Sequence, residues 1–124
     1  MAAPNIVNVT TITGITTAIG LTTTTPVTFL SNASSSNKVF KINSLMAVNT
    51  DGVANVDVTI RYHTSAAGAG SSVPIATTIT VPADASLVIL GKDNPIYLEE
   101  NRSLTAQATV ADDAAIICSY EDIS

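Results

Sequence analysis

Residues 38–63 read KVFKINSLMAVNTDGVANVDVTIRYH, and the period of this stretch decides the fold class. In its first arm Phe40, Ile42, Met46 and Val48 take even positions, while Lys41, Asn43 and Asn49 take odd ones. A period of two is that of a half-buried strand, whose successive side chains point to opposite faces. Asn49, Thr50, Asp51 and Gly52 then carry turn chemistry. The second arm alternates more cleanly, with Val56, Val58, Ile60 and Tyr62 on one face and Asn55, Asp57, Thr59, Arg61 and His63 on the other. Together the arms predict one long antiparallel hairpin. A one-residue slip would put every apolar side chain of the second arm in water, so its register is strongly specified.

Upstream, residues 5–30 are rich in Thr and Ile and almost free of charge, with Gly14, Gly20 and Pro26 as punctuation. They predict strands around residues 6–12, 15–21 and 27–30. An uncharged, β-prone segment is a template for strand pairing if it ends as an open edge. Two readings follow: residues 2–12 are ordinary strands of the same domain, or they form an N-terminal arm that pairs with a neighbouring subunit. The arm reading makes Asn5, Ile6, Val7, Asn8, Val9 and Ile12 the candidate interface residues, with residues 1–12 as the arm and 13–124 as the domain.

Downstream, residues 64–72 are small and polar and predict an exposed, mobile loop. Residues 73–81 predict a strand that Pro82 ends. Leu87, Val88, Ile89 and Leu90 form a continuous apolar run, expected of a strand buried on both faces. Residues 96–98, 104–110 and 115–120 are further strand candidates. No helical period persists for three turns. The pattern is that of an all-β, single-domain antiparallel β-sandwich or jelly roll of about eight short strands.

The 124 residues suffice for one domain with its own core. A net charge of −5, with five scattered basic residues, argues against a nucleic-acid partner, because phosphates demand clustered Lys and Arg. No apolar stretch approaches the ~20 residues that span a bilayer, and the start lacks the pattern of a signal peptide. Three glycosylation sequons, at Asn8, Asn32 and Asn101, are therefore expected to go unused.

Candidate chemistry is sparse. The only histidine, His63, is expected at the surface, and no Gly-x-Ser-x-Gly elbow accompanies it. The only cysteine, Cys118, sits between Ile117 and Ser119, where a thiol is a small inert core residue. The pairs Glu99-Glu100, Asp112-Asp113 and Glu121-Asp122 are expected in solvated turns or tails. Adjacent strand residues point to opposite faces, so a pair cannot oppose its carboxyls across a cleft. Asn49, Asp51 and Gly52 match a fragment of the EF-hand loop without its later bidentate glutamate, and hairpin turn chemistry accounts for them. Gly68-x-Gly70 is followed by serines and is not a phosphate loop. The absence of tryptophan removes the usual stacking platform of sugar-binding β folds. The expectation is a non-enzyme without metal or cofactor.

Three segments carry a resemblance: residues 37–45 with Asn49-Thr50-Asp51-Gly52, residues 79–84 with 96–100, and Cys118-Ser119-Tyr120-Glu121-Asp122-Ile123. This layout resembles small all-β virion proteins of tailed bacteriophages, particularly those of cyanobacterial hosts, over residue 37 to the end. The resemblance implies a virion structural protein assembled in the host cytoplasm, first of all a head decoration or cement protein that engages the major capsid protein or neighbouring virion subunits. A homo-oligomer, specifically a trimer, is the implied state. A neck or tail ring component is the alternative. A host-surface binding module, with contacts in the loops around Gly68 and Asn94, is a third reading.

Overall fold

The computed structural model describes residues 9–124. Its strands are β1 (Ile12–Leu21), β2 (Val27–Asn32), β3 (Val39–Asn49), β4 (Val56–His63), β5 (Ser72–Val81), β6 (Ser86–Leu90), β7 (Ile96–Leu98), β8 (Arg102–Ala108) and β9 (Ala114–Ile123). The hairpin at the centre of the chain is β4–β5, closed by residues 64–71. Outward from it the two halves of the chain stay paired: β3 with β6 and β7, β2 with β8, and β1 with β9. Rolled up, this long double strand becomes two antiparallel sheets, ordered β1-β9-β3-β6 with β7 also on β3, and β2-β8-β4-β5. That is the strand order of a jelly roll, with nine strands filling eight positions because β6 and β7 share one flank of β3.

The expected hairpin over residues 38–63 does not form. Its arms, β3 and β4, lie in different sheets and face each other across the core. The reason is visible at Asn49, a buried polar residue whose Nδ2 donates to Ala54 O at 2.9 Å and to Val81 O at 3.0 Å, while its Oδ1 accepts from Asp51 N at 2.9 Å. The Asp51 carboxylate accepts from Val53 N and Ala54 N. Turn chemistry is present, as the residues indicate, but it builds an arch from one sheet to the other.

A β-bulge in β3 corrects a second expectation. Ile42 faces Tyr120 and Ser44 faces Ser119, so Asn43 is the extra residue, and the inward phase switches there. Phe40 and Ile42 point into the core before it, Leu45, Ala47 and Asn49 after it, and Met46 and Val48 turn to the outer face. β4 keeps one phase, and Val56, Val58 and Ile60 are fully buried. They meet Ile42, Leu45, Leu98, Leu104 and Ile116 in a single core between the sheets. Truncating any of the large members to Ala would cost about 2–5 kcal/mol.

One further expectation fails, and another holds in part. β6 is an edge strand with Val88 60% exposed and only Leu90 buried, so its apolar run is not covered on both faces. The small-residue loop is exposed at Thr64, Ala67 and residues 69–71, as expected, but its middle is tied to the sheet. Residues 66–68 form a 3-10 turn laid on the outer side of β2 and β8, where Ala67 N donates to Ser31 Oγ, Gly68 N to Ser103 Oγ and Ala66 N to Asn101 Oδ1. It is the helical content of the described residues.

Candidate functional site

The groups capable of chemistry are dispersed among the described residues. Cys118 faces the core from β9, and burial pushes its thiol up to about 12. His63 is buried rather than at the surface. It lies on the outer side of β4, where its Nε2 and Thr105 Oγ1 share a hydrogen bond at 2.8 Å, and its Nδ1 has no partner among the described residues. Sequence missed this because the loop that follows His63 folds back over its sheet, a tertiary event with no local signature.

Of the acidic pairs, Glu121 accepts from Asn43 Nδ2 and Asp122 pairs with Lys38 at 3.2 Å across β9 and the start of β3. Partly exposed, that ion pair is worth at most about 1 kcal/mol. Glu99 is exposed as expected, whereas both carboxylate oxygens of Glu100 are enclosed without a partner among the described residues. The main-chain oxygens of Asp112 and Asp113 lie within hydrogen-bond reach of Thr50 Oγ1, and Asp113 O accepts from Thr50 N. Among the described residues no three His, Cys, Asp or Glu side chains converge as metal ligands, and Asn49 and Asp51 are spent on the arch. No helix among them is long and apolar enough to cross a membrane.

What remains is surface, and the two outer faces differ in kind. The outer face of β2-β8-β4-β5 is polar: Thr24, Asp57, Thr59, Thr78, Gln107 and Thr109 line an open hollow of about 330 Å³. Within it Thr59 Oγ1 accepts from Thr78 N, at a β5 bulge where Thr78 has φ +43°. The outer face of the other sheet is apolar toward the Asn49 end and polar beyond it, where Thr16, Ser119 and Ser44 form a row. Strand register aligns Ala18, Ile117, Met46 and Val88 in one row across β1, β9, β3 and β6. Gly20, Ala115, Val48 and Ser86 form the next row. At a strand spacing of about 4.8 Å each row runs roughly 15 Å. Such a platform can bind by shape and apolar contact but offers no nucleophile, base or ligand set.

Asn5, Ile6, Val7 and Asn8 lie outside the described residues. Val9 is half-buried ahead of the first strand. Ile12 opens β1, opposite Ile123, and is 55% exposed. Sequence reasoning did not find the apolar row, because the Asn43 bulge is what turns Met46 and Val48 outward.

No family model matches the sequence, and no curated protein matches it. Among solved structures the fold is similar to a chain described in the words "Bacillus endospore appendages form a novel family of disulfide-linked pili", with a TM-score of 0.52 and 17% identity over 92% of this chain and 88% of that one. At that identity the likeness is one of fold.

Proposed function

We propose that this chain is a non-enzymatic virion structural protein of a tailed bacteriophage, a head decoration or cement protein that stabilises the capsid shell by binding the major capsid protein or neighbouring virion subunits. The observation that carries the reading is the uncharged row Ala18, Ile117, Met46 and Val88 on an otherwise acidic domain. Net charge of −5 keeps the free protein soluble until it meets a shell, and the apolar row then supplies contact without chemistry. The resemblance of residues 37–124 to cyanophage virion proteins supports the virion as the setting. The working state is a homo-oligomer, a trimer, in which residues 5–12 engage a neighbour.

A second reading has the chain polymerise with copies of itself, in a tail, neck ring or appendage, and the similar chain's description as one of disulfide-linked pili favours it. Disulfide linkage of that kind would have no ready thiol here, since the single cysteine is buried.

Removing the protein from particles tests the proposal. Shells lacking it should rupture at lower temperature or on osmotic shock and recover when purified protein is added back. Shells of unchanged strength, with tails absent or short, would contradict decoration and favour the second reading.

A further inference from the structure

The four sheet edges are not equally protected. β5 carries Pro74 and two register shifts, β2 carries a bulge at Phe29 and lies against the 66–68 turn, and β6 is five residues long with a shift of its own. These are the usual devices that keep an edge from pairing with another chain. β1 has none of them. Its ten residues, Ile12–Leu21, hold one unbroken register with β9, and they include no charge and no proline. On the other side β1 has no partner among the described residues.

The direction of its free hydrogen-bonding groups follows from the ladder. Thr11 and Ser124 exchange both main-chain bonds, N to O at 3.1 Å and 2.9 Å. In an antiparallel ladder such pairs alternate with pairs that point their groups away. Odd residues of β1 therefore bond β9, and Ile12, Gly14, Thr16, Ala18 and Gly20 aim N–H and C=O at the open edge. Odd side chains face inward, yet Ile15 and Ile19 are only half-buried, because little of the second sheet lies over this strand.

We infer that the open edge of β1 pairs antiparallel with the β1 edge of a second copy, about a twofold axis through Thr17. The strand is nearly a palindrome in residue type about that point: Gly14-Ile15-Thr16-Thr17-Ala18-Ile19-Gly20. A twofold at Thr17 sets Thr16 against Ala18 of the second copy and Gly14 against Gly20, each pair exchanging two main-chain bonds through the groups that are free. It also sets Ile15 against Ile19 twice, on the inward face that is incompletely covered. A slip of one residue opposes inward to outward side chains, and a slip of two loses both the Ile–Ile and Gly–Gly matches. Such an interface is isologous, the same patch on both copies.

The glycines support the same partner. A Cβ on Gly14 or Gly20 would meet nothing within 4 Å, and neither has positive φ, so this chain's own packing requires neither glycine. Glycine inside a strand weakens it and often marks the approach of another backbone. The pair joins two sheets into one of eight strand positions, in which the Ala18 row of one copy meets the polar Thr16, Ser119 and Ser44 row of the other. It goes beyond decoration, since a trimer linked to its neighbours through such twofolds and a self-assembling filament would both use it.

The test is sedimentation of the full chain over a rising concentration series, with three variants. Thr17→Cys places two thiols across the axis, where facing Cα atoms of a non-bonded pair lie ~4.5 Å apart, within disulfide range. Both cysteine variants are made on Cys118→Ala, since Cys118 stands opposite residue 17 on β9 and would compete for its thiol. Thr13→Cys, which would face Leu21, is the control. Ala18→Pro removes one free-edge N–H per copy and no bond of the chain's own ladder, and circular dichroism verifies its fold. Expected are a native species of twice 12.7 kDa, covalent dimer from Thr17→Cys but not Thr13→Cys, and dimerisation weaker by about tenfold or more in folded Ala18→Pro. A native chain monomeric throughout, or cross-linking no faster at 17 than at 13, would overturn the proposal. Should Ala18→Pro not fold, the cysteine pair decides the matter alone. Copy number in a particle is a separate readout, so failure of the decoration reading would leave this result intact.

Discussion

Asn49, the last residue of β3, donates from Nδ2 to the carbonyl oxygen of Val81, the last residue of β5, at 3.0 Å, and so ties one sheet to the other inside the protein. At the opposite end of the sandwich Asn32 does the same work. It ends β2, is 1% exposed, and its Nδ2 donates to Leu98 O at 3.0 Å and to Lys38 O at 2.9 Å. Two buried amides thus pin two arches of the jelly roll.

Replacing Asn49 by Ala leaves the buried oxygen of Val81, and the part-buried oxygen of Ala54, without this donor. The expected loss is about 2–4 kcal/mol, read from urea unfolding. Asn32→Ala should cost a similar amount, and because the residues stand at opposite ends the double variant should be additive within about 0.5 kcal/mol.

Gly68 has φ +73°, and a Cβ there would lie 2.8 Å from Thr28 Oγ1 and 3.2 Å from Thr105 Cγ2. Gly68→Ala should therefore lift the 66–68 turn off its sheet and cost about 1–3 kcal/mol. Hydrogen exchange at Gly68 N, now donating to Ser103 Oγ, checks the site directly. Gly14→Ala, with open space around its Cβ, should change stability by about 0.5 kcal/mol or less.

These two predictions mark where sequence reasoning succeeds and stops. Alternation in residues 56–62 gave the correct inner face of β4, because that strand keeps one phase from end to end. In β3 the same reasoning placed Met46 and Val48 inside, since a bulge leaves no trace in composition. Turn residues at 49–52 were legible as a reversal of the chain. Whether a reversal makes a hairpin or an arch depends on what pairs with each arm, and β9, which takes β3, lies more than sixty residues away. The candidate interface suffered the same limit: an uncharged, β-prone stretch was legible, but the open edge within it emerged only when the other three edges were seen to be protected.

Alkaline stability should report Cys118. Its thiol titrates near 9.0 when unfolded and at about 12 when folded, displaced by burial. Between those values the unfolded chain holds fewer protons than the folded one, so stability falls as pH rises, by up to about 1.4 kcal/mol per pH unit. Tyr120 is also raised, by burial and then by the charges of Asp122 and Cys118, and adds a loss of the same sign above pH 10.0. Cys118→Ala should flatten the curve between pH 9.0 and about 12. Below pH 9.0 the native thiol should resist thiol reagents until the chain unfolds.

Val88 is 60% exposed at the end of the apolar row. Val88→Lys should leave the unfolding free energy within about 0.5 kcal/mol of native while reducing binding to undecorated shells, measured by co-sedimentation. Thr80→Lys, on the polar sheet, should bind as the native protein does.

The copy number of this chain in purified particles, by quantitative mass spectrometry against the major capsid protein, tests the functional reading most directly. A ratio near one to one or one to three is the result that decoration of the shell predicts. A handful of copies per particle would contradict it and assign the protein to the neck or tail, and complete absence from particles would overturn the virion setting itself.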